Sequence, residues 1–257
     1  MQLLRVAKNT FRESVRDRVL FNLIAFALLM IGSSLLVGQL AIGDLQKVIT
    51  DIGLSAMRFI GVLIAIFIGI QLVYKEIERK TIYGLLAKPL RRSDLVLGKF
   101  FGLGTTLAVN TAVMLGGIVL SILFVKRGYA PQLAAAIPAA YLIFLELVVT
   151  TAIALMFSTI SSPALSALLT LMIYVAGNFG ENLRLLAASA DSAPSRWLLT
   201  ALFYVLPNLS NFSAISTAAH GTVAPASWLL AATAYAVVYC ALLLSIAVLV
   251  FDRRDFK

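Results

Sequence analysis

The sequence has few of the residues from which catalytic and metal sites are built. One cysteine, Cys240, and one histidine, His220, occur in 257 residues, and charged residues make up 13% of the chain. A disulfide framework and a thiolate metal cluster are therefore excluded. A phosphate-binding loop of the GxxxxGKS/T type is also missing, because Gly98 and Lys99 are followed by Phe100. The chain is accordingly not expected to hydrolyse a nucleotide or to act as an enzyme.

Apolar residues are correspondingly abundant. The chain is 61% hydrophobic with a mean hydropathy of +0.96, and its charged fraction is far below the 25% or so of a soluble domain. Apolar runs of about 18 or more residues are transmembrane helix candidates. Six runs meet or approach this length: Val19–Leu40, Leu54–Tyr74, Phe100–Val125, Ala139–Ile160, Ala164–Gly180 and Trp228–Phe251. The sequence therefore predicts an all-α polytopic membrane protein with six spans.

The basic residues indicate how these spans are oriented. Of 21 lysines and arginines, fifteen lie in the two terminal tails and in the segment between the second and third spans. Five lie in the opposite loops, and Arg58 lies near one end of the second span, where its long side chain is expected to reach the interface. Because cytoplasmic loops are enriched in lysine and arginine, both termini are predicted to be cytoplasmic. The net charge of +9 therefore reflects topology and does not indicate nucleic-acid binding.

Two segments outside the spans are predicted to contain short helices. In residues 1–18, Leu4, Ala7 and Phe11 share one helical face, and basic residues gather next to it. This pattern predicts a helix in the membrane surface, with a disordered basic tail as the alternative. Residues 181–227 form the longest external segment, and their apolar stretches are too short to cross a bilayer. Short helices that lie on the outer leaflet or dip into it fit this segment best.

Glu146 is the one acidic residue within a predicted span. It lies about 10 Å into the fourth span by the helical rise, where an ionised acid costs roughly 2.5–3.5 kcal/mol on insertion scales. Its side chain is therefore expected to face the interior, either protonated or hydrogen-bonded to Thr150 or to a hydroxyl of a neighbouring span. Two interpretations remain open: a group that lines a polar pathway, and a structural contact between helices.

One dense charged block, Lys75–Lys99, interrupts the apolar sequence. Ten of its residues are charged, seven basic and three acidic. Residues 75–87 have helical spacing, Pro89 ends that helix, and Ser93 is a natural N-cap for a helix that continues into the third span. The Gly98–Gly102 spacing is one found at close helix contacts. A structured helix with both charge signs and apolar residues is more than a topology signal requires, so the block is predicted to be a docking surface for a cytosolic partner.

The sequence of this block, KEIERKTIYGLLAKPLRRSDLVLGK, resembles the segment between spans two and three of ABC-2 type transporter permeases. Lys80 departs from the family pattern, which often has glycine before the threonine. The resemblance extends over the whole chain, which is similar to the branch grouped with permeases for multicopper-enzyme maturation. The matching residues are Glu76, Glu78, Thr81, Leu85, Leu86, Pro89, Arg92, Ser93, Gly98 and Lys99.

The resemblance implies one ABC-2 type transmembrane domain over residues 1–257, in a bacterial inner membrane, working as a homodimer or a related heterodimer. It implies that residues 75–94 contain a coupling helix for a separate cytoplasmic ATPase, and that the complex exports a substrate. ATP and Mg²⁺ would be bound by that ATPase, and no cofactor is expected in this chain. The residues expected to contact the ATPase are Glu76, Glu78, Arg79, Thr81, Ile82, Leu85, Leu86 and Pro89.

Two other functions stay open from the sequence. An ATPase-independent transporter or channel would need ionisable groups deep in the bundle, and among the predicted spans Glu146 alone meets this requirement. A non-transporting membrane scaffold, or a mechanical transmitter to an external partner, would make use of residues 181–227. The sequence carries no signature of a substrate, and nothing in it resembles a copper site rich in methionine or histidine.

Overall fold

A computed structural model describes residues 2–14, 26, 45–78, 92–125, 130–189 and 192–253. Every regular element within these residues is a helix, so the predicted all-α class is confirmed. The helices of the described residues are, in chain order, α1 (Gln2–Ser14), α2 (Leu45–Glu78), α3 (Arg92–Val125), α4 (Pro131–Ile160), α5 (Pro163–Asn178), α6 (Gly180–Ala188), α7 (Ala193–Val205), a 3-10 helix (Leu209–Phe212), α8 (Ile215–Ala219) and α9 (Ala226–Arg253).

Four of these helices are long and apolar enough to cross a membrane, namely α2, α3, α4 and α9. Helix α5 is apolar but has 16 residues, which is about 24 Å of helix against about 30 Å of bilayer core. Each of the last five predicted spans coincides with one of these helices. The first, Val19–Leu40, lies outside the described residues except for Phe26. The chain is thus a multi-pass membrane protein, and the count of six spans stays a prediction.

The bounds of the predicted spans leave residues 41–53 and 126–138 as short external loops, but the described parts of both segments are mostly helical. Helix α2 begins at Leu45, and α4 begins at Pro131. Hydropathy marks where a helix is apolar and not where it ends, so the first turns of both helices were assigned wrongly. Pro131 occupies the start of α4, where its missing N–H group costs nothing, and Pro138 lies inside the helix without ending it.

Helix α4 forms the centre of the described bundle and is buried along most of its length. Helix α2 runs beside it in the same direction, and two glycines of α2 allow the close approach. A Cβ atom on Gly61 would lie 2.5 Å from Leu147 Cδ1, and one on Gly69 would lie 3.3 Å from the Cβ of Ala154. Small residues at such contacts let helices pack in a membrane, where apolar burial alone does not favour association.

The N-terminal segment is helical, as its periodicity predicts, and α1 packs against α3. The contact lies at Gly102, the second glycine of the spacing noted in the sequence. A Cβ atom there would lie 2.7 Å from both the Ala7 carbonyl oxygen and the Thr10 Cβ. Thr10 is buried, while the basic side chains of α1 that the structure describes, Arg5, Lys8 and Arg12, are exposed. The position of α1 relative to a membrane surface remains a prediction.

The segment before α9 contains short helices, as expected, and part of it is inserted into the bundle. Residues 207–222, here called the cap segment, pack on α2, α4 and α5 at the end where α2 and α4 begin. Leu209 and Phe212 have no exposed surface. The carbonyl oxygen of Pro207 lies where a side chain on Gly177 would begin, at 2.5 Å from the ideal Cβ position. The cap segment is therefore held against protein, so its buried residues do not meet lipid.

Candidate functional site

The interior of the bundle contains a bidentate ion pair between α2 and α4. Arg58 Nε donates to Glu146 Oε2 at 2.8 Å, and Arg58 Nη2 donates to Glu146 Oε1 at 2.7 Å. The side chain of Glu146 is fully buried, and that of Arg58 is 20% exposed. Arg58 thus points inward, and the expectation that it reaches the interface is wrong. The hydroxyl of Thr150 bonds to the backbone carbonyl of Glu146 and not to its carboxylate.

The close approach of α2 and α4 explains why the two charges meet. Gly61 lies one turn beyond Arg58 and faces Leu147, the residue next to Glu146. The missing side chain brings the two backbones together at the level of the charges. An unpaired charge at this depth would cost about 2.5–3.5 kcal/mol on insertion scales. The pair offsets part of this cost for both residues, because each ion is the hydrogen-bond partner of the other.

Asn178, the last residue of α5, completes a three-helix polar cluster. Its Oδ1 atom accepts a hydrogen bond from Arg58 Nη2. Its Nδ2 atom donates to the backbone carbonyl of Tyr174 at 2.9 Å and lies 3.5 Å from Glu146 Oε1. The bond to the Tyr174 carbonyl fixes the orientation of the amide, so the oxygen must face the guanidinium. One arginine on α2 is therefore tied to both α4 and α5.

A cavity of about 500 Å³ lies beside this cluster, between α2, α5 and the cap segment. Its lining combines a guanidinium, hydroxyl and amide groups with two apolar side chains. The lining residues are Arg58, Tyr174, Val175, Asn178, Phe179, Ser210 and Ser213. A buried ion pair next to a cavity is the arrangement in which an intramembrane charge is most often functional.

The sequence predicted one member of this site and missed the others. Glu146 was found because an acid in an apolar run needs an interior partner. Arg58 could have been identified as that partner, because it is the only basic residue inside a predicted span and lies near the corresponding end of a parallel helix. Asn178, Ser210 and Ser213 carry no comparable signal, since common polar residues near helix ends are usually solvated.

The residues predicted to contact an ATPase are only partly described. Glu76 and Glu78 form the last turn of α2, which continues seven residues beyond the apolar span that ends at Gln71. Arg79, Thr81, Ile82, Leu85, Leu86 and Pro89 lie outside the described residues. Helix α3 begins at Arg92, so both ends of the block are continuous with long helices. The roles of these eight residues stay predictions.

The fold does not bring together Cys240 and His220, the single cysteine and the single histidine of the sequence. Cys240 is buried in α9. His220 is exposed at the end of α8, where its Nδ1 atom lies 2.7 Å from the Ser216 carbonyl oxygen and its Nε2 atom lies 2.8 Å from Lys47 Nζ. The latter contact joins the cap segment to the first turn of α2. No group of three metal-ligating side chains occurs within the part of the chain that the structure describes.

The apolar helices and the internal polar cluster define a multi-pass α-helical membrane protein. Residues 4–256 match the model of a family described as ABC-2 family transporter protein, and the chain belongs to this family. The resemblance seen in the charged block is thereby confirmed. Membership also makes the chain a membrane subunit of a transporter and not an enzyme, as the sequence predicted.

Two curated relatives carry the same name, probable ABC transporter permease protein NosY. The protein from Pseudomonas aeruginosa is 31% identical over 137 residues, which is 51% of this chain and 48% of the relative. The protein from Stutzerimonas stutzeri is 30% identical over 132 residues, which is 49% of this chain and 48% of the relative. The match thus spans about half the length of each relative.

Proposed function

We propose that this chain is the permease subunit of an ABC transporter that exports its substrate with energy from a separate cytoplasmic ATPase. The observation that carries the proposal is the family match, which covers residues 4–256. Residues 75–94 would contact the ATPase, and a second permease copy would complete the path. The chain lacks a nucleotide-binding loop of its own, which is why the energy must come from a partner.

The continuity of α2 supports a mechanical role for residues 75–94. Helix α2 is unbroken from Leu45 to Glu78, a length of about 50 Å by the helical rise. It begins at the cap segment, carries Arg58 in the bundle, and ends within the proposed ATPase contact. Packed helices shift as rigid bodies, since close-packed side chains do not deform continuously. A displacement of Glu78 would therefore be transmitted along the whole helix.

Exposed apolar faces support the presence of lipid and of a second copy. On α5, the exposed side chains recur at helical spacing along one stripe, formed by Leu165, Leu168, Met172, Val175 and Phe179. A soluble monomer rarely exposes so large an apolar surface. In a membrane such a stripe faces either acyl chains or another permease.

The proposal is tested by separating the apolar anchor of the ATPase contact from its charged rim. A buried leucine contributes about 1.5–3 kcal/mol to such a contact, whereas a rim charge contributes about 1 kcal/mol or less. Leu85→Asp and Leu86→Asp should therefore release the cognate ATPase or abolish its stimulation by the permease, and Arg91→Ala should do neither. Co-purification and permease-dependent ATP hydrolysis measure both effects. If both leucine variants bind and stimulate the ATPase as the wild type does, residues 75–94 are only a topology signal.

A further inference from the structure

The cavity beside the ion pair presents one charge and hides the other. Arg58 lines the cavity with its side chain 20% exposed, whereas the Glu146 side chain is fully buried and does not contribute to the lining. The guanidinium thus stands between the carboxylate and the cavity. A group inside the cavity meets the positive end of a fixed dipole, in surroundings that screen charge less than water does.

Hydrogen-bond donors are in excess on this wall. A guanidinium has five N–H groups, and within the described residues those of Arg58 that form bonds belong to Nε and Nη2. The two N–H groups of Nη1 take no part in the bonds to Glu146 and Asn178, and Ser213 lines the same cavity. The side chain of Tyr174 is already hydrogen-bonded to Arg58 and Glu146. Asn178 holds the guanidinium, and Ser210 already donates within the cap segment. None of the described residues that line the cavity is acidic.

Another part of the lining is apolar. Val175 and Phe179 belong to the exposed stripe of α5 and are 47% and 52% exposed. The volume of about 500 Å³ lies in the range of small-molecule sites. A ligand that satisfies both parts of the lining has acceptor oxygens at one end and hydrocarbon at the other.

We propose that this cavity binds the oxyanion head of an amphiphile, a carboxylate or phosphate carried on an apolar chain, with Arg58 Nη1 as the principal donor. The hydroxyl of Ser213 completes the donor set, and the apolar chain of the amphiphile lies along Val175 and Phe179. The head comes either from a lipid of the bilayer with net negative charge or from an amphiphilic acid in solution. The site belongs to this chain alone, so its test needs no ATPase and is independent of the proposed function.

The charge preference is measured by labelling a cysteine placed in the cavity. Ser213→Cys, in a Cys240→Ala background, is reconstituted as the full chain in phosphatidylcholine nanodiscs. Its labelling rates with an anionic and a cationic methanethiosulfonate are compared with those of Ser227→Cys, which is exposed outside the cavity. The anionic reagent should be favoured by about tenfold more in the cavity than at the control. Equal preferences at the two positions, or no labelling of Ser213→Cys, would overturn the proposal.

The source of the preference is tested in the same assay by neutralising the ion pair. The double variant Arg58→Gln, Glu146→Gln removes both charges and leaves a polar amide at each position. Its anionic preference should fall to the level of the control, with an unchanged gel-filtration profile. A preference that survives in the folded double variant would show that Arg58 does not set it.

Two arms distinguish the sources of the ligand. In the first, dodecanoate is added to phosphatidylcholine nanodiscs and should slow labelling of Ser213→Cys relative to Ser227→Cys, whereas dodecyltrimethylammonium should not. In the second, phosphatidic acid replaces part of the phosphatidylcholine, with no acid added. Protection in the first arm identifies a soluble amphiphile, and protection in the second identifies a lipid. If neither arm shows protection, the proposal is contradicted.

Discussion

Removal of the Arg58 guanidinium should destabilise the bundle far more than removal of both charges of the ion pair. In Arg58→Gln, the fully buried carboxylate of Glu146 loses both hydrogen bonds from its cationic partner. Breaking a buried pair from one side costs about 3–5 kcal/mol, because the remaining charge is uncompensated. In the Arg58→Gln, Glu146→Gln double variant no charge is left, and two amides of similar size can bond to each other.

The two single variants should differ in severity, and the structure fixes the order. Glu146→Gln leaves a guanidinium that is still 20% exposed to the cavity and still bonded to Asn178. It should therefore keep the fold with a smaller loss than Arg58→Gln. Glu146→Lys would place a second cation against the guanidinium and should prevent stable assembly.

The measurement is thermal unfolding of the purified chain in one detergent, followed by the loss of the monodisperse gel-filtration peak. For a chain of this size each kcal/mol corresponds to about 2–4 °C, so Arg58→Gln should lower the midpoint by roughly 6–20 °C. The double variant should recover most of this loss, with a coupling energy of about 2–3 kcal/mol between the two positions. A double variant that is as unstable as the sum of the single variants would refute the pairing.

Two other perturbations follow from the described contacts, and one test follows from the distribution of basic residues in the sequence. Gly102→Ala should destabilise the chain by about 1–3 kcal/mol because its Cβ would meet α1. The control Gly104→Ala, whose Cβ would lie in open space, should be neutral or stabilising by helix propensity. The reverse order of melting temperatures would contradict the α1 contact. Asn110 is 99% buried, and within the described part of the chain neither of its amide atoms is bonded. Asn110→Leu should therefore raise stability by about 1–2 kcal/mol, and a lower melting temperature would mean that the amide has a partner in the membrane. A reporter fused after Lys257 should be active in its cytoplasmic form alone, and periplasmic activity would overturn the predicted orientation.

The sequence predicted those features that depend on local pattern and missed those that depend on packing. Apolar runs located α2, α3, α4, α5 and α9, because the bilayer imposes helical structure on any long apolar segment. The starts of α2 and α4 were missed, because Leu45 and Pro131 lie in turns whose composition is that of a loop.

The same division holds for the candidate site. The interior position of Glu146 follows from the cost of placing an acid in lipid, which is a property of one residue. Its pairing with Arg58 depends on the crossing of two helices at Gly61, and the cavity depends on where the cap segment folds back. Such contacts between distant parts of the chain leave no periodic trace in the sequence.

The glycine contacts of α2 form a pivot near the middle of the helix, about which α2 can tilt as a rigid rod. Gly61 and Gly69 contact α4 near the middle of α2, and Leu45 and Glu78 are the two ends of the helix. From the midpoint of the two glycines, the arms are about 20 Å toward Glu78 and about 30 Å toward Leu45 by the helical rise. For illustration, a tilt that moves Glu78 by about 2 Å would move Leu45 by about 3 Å in the opposite direction. The cap segment, bonded to the first turn of α2 through Lys47, would thus receive the larger motion. Arg58, about 10 Å from the pivot, would move by about 1 Å.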